Sequence, residues 1–100
     1  MQPGTIVILN LQNPREKVLG SLREISQSGI FVRGIDVNSF TDWLTGIANP
    51  GEKSAIYPTT MFLPMHRVVS CYMDEEIDNI PSFSAQVSNR TGKDIAEFLG

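Results

Sequence analysis

The sequence predicts a mainly β fold, a small five-stranded barrel with two short helices. Three observations predict it. Five segments rich in β-branched and aromatic residues follow one another at spacings of about ten residues, which favours a small barrel over an open sandwich. Two of these segments carry a central glycine, Gly20 and Gly34, as expected where a sheet bends sharply or a second backbone comes close. Two other stretches, 39–47 and 91–99, change to the helical period. A chain of 100 residues has room for one core, so residues 1–100 read as a single domain.

The first strand is Thr5 to Leu11, with Val7, Leu9 and Leu11 on one face. Gln12-Asn13-Pro14-Arg15 is a turn, with Pro14 fixing φ and Asn13 suited to the bend. Lys17 to Ser26 is the second strand. Val18, Gly20 and Leu22 lie on one side; Leu19, Ser21, Arg23 and Ile25 lie on the other. After the tight turn Gln27-Ser28-Gly29, Ile30 to Val37 forms the third strand. Central glycines in two strands joined by a short turn predict a strongly bent sheet.

Phe40, Trp43, Leu44 and Ile47 then fall at i, i+3, i+4 and i+7, one face of a helix inserted over 39–47. Asn38 or Ser39 can cap it, Asp42 suits its first turn, and Gly46 limits it to about two turns. So short a helix is unstable alone, and its apolar stripe must dock on something. Ala48 to Ser54 is the most loop-like stretch of the chain. Thr59 to Leu63 is the fourth strand, and Pro64 marks an edge, a bulge or the junction between two strands. His66 to Met73 is the fifth strand, ended by Asp74-Glu75-Glu76. Glu76 to Ser88 reads as polar and irregular. Thr91-Gly92-Lys93-Asp94 has capping-box spacing and opens a last helix over 91–99, with Ile95, Phe98 and Leu99 on one face.

Composition narrows the function classes. Eight basic and eleven acidic side chains give a net charge of −3, with 41% apolar residues. Disorder is excluded by the apolar content. The longest apolar run, Ile6 to Leu9, is far short of the ~20 residues of a membrane helix, so no membrane partner is expected. The single cysteine, Cys71, allows no internal disulfide. With no signal-peptide pattern at Met1 to Thr5, a cytoplasmic location is expected. The charge is uneven: residues 14–33 hold four basic and two acidic side chains, residues 34–100 four basic and nine acidic. The average therefore excludes a uniformly basic binder but leaves room for a local basic site.

Val18-Leu19-Gly20-Ser21-Leu22-Arg23-Glu24-Ile25, followed by a turn and Ile30-Phe31-Val32, resembles the first Sm motif of Sm-like proteins. Phe62 to Cys71 resembles the second, and Met65-His66-Arg67-Val68-Val69-Ser70 is similar to the start of the final strand in Hfq-like proteins. The resemblance spans roughly Thr5 to Met73 and implies an SH3-like or Sm-like barrel that forms oligomers. In the family an asparagine in the motif turn helps hold a base. Here the turn is Ser26-Gln27-Ser28-Gly29, and Met65 stands where the basic residue precedes the histidine. The resemblance thus speaks for the fold more than for an RNA site.

The candidate contacts to nucleic acid or another ligand are Arg23, Arg33, His66 and Arg67. Arg67 can hold a phosphate or carboxylate through its planar fork, and His66 can stack on or donate to a base. On an alternating strand the two side chains point to opposite faces. The structural alternative pairs Arg67 with Asp36, Asp74 or Glu24 and bonds His66 to a backbone carbonyl. The candidate interface residues are Phe40, Trp43, Leu44, Ile47 and Phe98; the alternative is that these stripes close the barrel from within the chain. Asp74, Glu75, Glu76 and Asp78 lack the ligand spacing of a metal loop and read as a solvated strand end. Cys71 reads as a small buried hydrophobe, and one His with one Cys builds no zinc site. No phosphate loop or catalytic set is present, so no cofactor, no metal and no enzymatic activity are expected. The leading expectation is a non-enzymatic binding or assembly module, a homo-oligomer or partner of another protein, that self-associates through strand edges. The second is an Sm-like RNA-binding ring, which the overall charge does not favour.

Overall fold

The computed structural model describes residues 1–49, 51 and 55–100. The predicted loop Ala48 to Ser54 lies in part outside the described residues. The chain forms β1 (Ile6–Leu11), β2 (Glu16–Ile25), β3 (Gly29–Asp36), α1 (Phe40–Ala48), β4 (Thr59–Pro64), β5 (Val68–Met73), α2 (Phe83–Thr91) and α3 (Ala96–Leu99). Single 3-10 turns precede α1 and β5. The five strands make one antiparallel sheet in the order β4-β3-β2-β1-β5. β4 and β5 are its two edges and are not bonded to each other, so the sheet is open where a closed barrel was predicted. Among the described residues, no helix is long and apolar enough to cross a membrane.

The close backbone approach expected at the central glycines is present. Gly20 and Gly34 stand opposite each other in the β2–β3 ladder. A Cβ on Gly34 would run into the carbonyl oxygen of Leu19 and sit 2.5 Å from the Cα of Gly20, and one on Gly20 would lie 2.6 Å from the carbonyl oxygen of Arg33. No other residue allows the two backbones to come this close.

Both faces of the sheet are covered. The inner, curled face packs Val7, Leu9, Leu11, Val18, Leu22 and Val32 together with Leu63 of β4. The outer face carries Ile8, Leu19 and Ile35, on which the helices lay Phe40, Trp43, Val87 and Leu99. β2 is accordingly buried without a break from Val18 to Leu22. A strand covered on one side only would show alternation.

The helical insertion forms as α1, entered through a 3-10 turn over Val37–Ser39. The predicted cap is displaced. Ser39 makes no side-chain cap bond, and Asp36 instead accepts from the backbone N–H of Asn38 at 2.7 Å. The stretch predicted as irregular, Glu76 to Ser88, contains α2. Ser82 caps it, its hydroxyl accepting from the N–H of Ala85 at 3.0 Å. Asp74 accepts from the N–H groups of Phe83 (3.0 Å) and Ser84 (2.8 Å). Thr91 therefore ends a helix and does not open one, and Gly92 closes it in the left-handed conformation, φ 73°. The predicted helix 91–99 shrinks to α3, four residues long.

Candidate functional site

His66 and Arg67 do not lie on a strand. Pro64 ends β4, and Met65–Arg67 forms a 3-10 turn before β5, so the expectation of opposite faces fails. Pro64 cannot donate to a ladder, and its neighbours turn instead. The Met65 N–H donates to the carbonyl of Ser28 at 2.9 Å, fastening this turn to the β2–β3 connection.

Arg67 reaches the β1–β2 turn. Its Nε donates to the carbonyl of Gln12 at 3.1 Å, and one terminal nitrogen donates to the carbonyl of Pro14 at 3.0 Å and to Glu16 Oε2 at 3.2 Å. The planar fork thus holds a turn in which Asn13 has φ 56°. Its carboxylate partner is Glu16, in place of the three acids expected. His66 is exposed, and its carbonyl accepts from the side chain of Gln12 at 3.0 Å.

Arg23 and Arg33 are fastened at the other end of the sheet. Arg23 donates to the carbonyl of Gly100. Arg33 donates from Nε to the carbonyl of Leu99 at 2.7 Å and from a terminal nitrogen to Thr60 Oγ1 at 3.2 Å. Glu16, which holds Arg67, and Arg23 are seven residues apart on β2, about 23 Å of extended strand. The four predicted contact residues therefore do not form one patch, and three of them spend their guanidinium groups on the chain itself. The uncommitted cations of the basic segment are Arg15 and Lys17. Both are exposed, with no bonded partner among the described residues.

The predicted interface stripe is covered from within the chain. Phe40, Trp43 and Leu44 are buried. Trp43 is 1% exposed, and Phe83 of α2 meets Phe40 edge to face with ring centroids 4.6 Å apart. Ile47 and Phe98 are half-buried against the same core. The sequence left core and interface open, and burial on the outer face of the sheet accounts for these side chains.

Free apolar surface lies elsewhere. Neither edge strand carries a charged residue: β4 reads Thr-Thr-Met-Phe-Leu-Pro and β5 Val-Val-Ser-Cys-Tyr-Met. Phe62 is exposed on β4, and Val69, Tyr72 and Met73 are exposed on β5. Val69 is displaced outward where the β1–β5 register shifts. Beyond the end of β5 lies an apolar groove of about 260 Å³, lined by Ile8, Tyr72, Met73, Ile77, Ile80 and Phe83. Ile77 and Ile80 bridge to each other in a small loop and are both exposed. The expectation of self-association through strand edges did not say which strands, and it did not name the groove; the signal that marks the two edges is the absence of charge from both outer strands.

Cys71 faces the inner core. Its sulfur lies 3.8 Å from the sulfur of Met1, and partial burial pushes its thiol pKa upward. No protein-family model matches the chain, and no curated protein or solved structure matches it.

Proposed function

We propose that this chain is a non-enzymatic assembly module of small-barrel, Sm-like type that self-associates through its strand edges. The observation that carries this reading is the chemistry of the two edges. Natural edge strands are blunted by Lys, inward-pointing charges, proline or a covering loop, because their unpaired N–H and C=O groups otherwise recruit another strand. Within β4 and β5 the devices are Pro64 at one strand end and the irregularity at Val69. No charge protects either strand. The small-barrel reading draws support from the inner core, to which Leu63, Val68 and Cys71 bring both edge strands, and from the short turn that carries the chain from one edge to the other.

Sedimentation velocity across a concentration series tests it. The wild-type chain is expected to sediment as an oligomer, and Phe62→Lys combined with Val69→Lys is expected to shift it toward monomer while its circular dichroism is kept. A wild-type monomer at every concentration overturns the proposal. The RNA-ring reading uses Arg23, Arg33, His66 and Arg67, and loses support because three of these are already engaged. Oligo-U and oligo-A are expected not to bind at low salt. Binding that falls steeply with salt would favour the ring.

A further inference from the structure

The β5 edge is a dipole of charge. Past its C-terminal end stand Glu75, Glu76 and Asp78, all exposed, and residues 68–89 contain no basic side chain. At its N-terminal end, Val69 shares a cleft with Arg15 and Lys17, and the one acid there, Glu16, is paired with Arg67. Between these ends the strand is uncharged and exposes Val69, Tyr72 and Met73.

From this arrangement we infer that β5 pairs antiparallel with β5 of a second copy, about a two-fold axis near Ser70 and Cys71. The inference rests on the self-association proposed above and names its edge, its symmetry and its partner. Antiparallel pairing about a two-fold sets each end of one strand against the opposite end of the other, so every contact occurs twice. Glu75 and Glu76 of one copy then fall opposite His66 and Met65 of its partner, at the strand end whose cleft holds Arg15 and Lys17, and the reverse holds at the far end. Val69 of each copy lies beside Tyr72 and the apolar groove of the other. Parallel pairing would set acid against acid and base against base. The β4 edge has no such self-complementary pattern. Its neighbours across β3 and the C-terminal residues engage Arg33 and Arg23. The two-fold contact closes on itself and gives a dimer with one continuous sheet.

A charge-swap pair tests this. Arg15→Glu with Lys17→Glu makes both ends of the edge acidic; Glu75→Lys with Glu76→Lys makes both basic. All four positions are exposed, and a thermal melt by circular dichroism confirms that each variant folds. Each variant alone is expected to dimerise at least about tenfold more weakly than wild type, and an equimolar mixture to regain dimer as a heterodimer. The wild-type dimer is expected to weaken with added salt. If the wild type self-associates but both variants do so undiminished, or if only Phe62→Lys disrupts it, the β5–β5 inference is overturned while self-association stands. If the wild type is a monomer, both fail.

Discussion

At Gly34 the distance between β2 and β3 is set by what is missing, a Cβ. Gly34→Ala pushes a methyl into the carbonyl of Leu19, and strands in a ladder cannot part locally without losing bonds on both sides. The expected loss of stability is at least about 2 kcal/mol by urea denaturation. Arg67 acts as a brace on the β1–β2 turn. Its ion pair with Glu16 is partly exposed and contributes little on its own; the two carbonyl bonds contribute more. Arg67→Ala is expected to cost about 1–2 kcal/mol. Arg67→Lys should recover less than half of this, because an ammonium lacks the planar fork that reaches Gln12, Pro14 and Glu16 together. Cys71 gives a prediction in pH. Burial favours the neutral thiol, so the folded pKa lies above the unfolded one. Any stability linked to this proton is present below the unfolded value and is lost as pH rises through the folded one. Alkylation by iodoacetamide near pH 8 should therefore be slower in the native chain than in urea, and equal rates would contradict the burial.

Among the elements, α1 and α2 need the sheet as much as the sheet needs them. Trp43 is the largest side chain of the outer core, and Trp43→Lys is expected to abolish cooperative unfolding. A cooperative variant with altered oligomeric state would instead mark the stripe as an interface. Asp74 joins the end of β5 to the start of α2 through Phe83 and Ser84. Asp74→Asn keeps the shape but removes the charge at a helix N-terminus, with an expected cost of about 1 kcal/mol. The elements legible in the sequence were those whose residues announce a period: the five strands and α1. α2 was hidden because only Phe83 and Val87 of its apolar positions turn inward, too few to reveal a period, and its cap, Ser82, sits among other polar residues. The His66-Arg67 turn was hidden because Val68 onward is so strand-like that the strand was extended back to His66. Of the candidate site, the arginines were visible as charges, but their partners are mostly backbone carbonyls, which carry no residue signature. The uncharged edges were equally visible in the letters and became meaningful only once the strand order put β4 and β5 on the outside.

For the whole molecule, the sheet is the organising feature. It is covered on the inside by its own curl and on the outside by three helices. What remains open is lateral: the outer sides of β4 and β5. On the self-association proposed above, two covered faces leave the strand edges as the place of contact, and the opposite charges at the ends of β5 would favour an antiparallel copy of the same strand as its one neighbour. The helices occupy the outer face, on which a second sheet could otherwise stack. The most direct measurement is the mass of the wild-type chain by sedimentation equilibrium over a wide concentration range at low salt. Assembly through the β5 edge predicts convergence on twice the 11.1 kDa chain mass, with the dimer weakening as salt is added. A mass of 11.1 kDa at every concentration would contradict it.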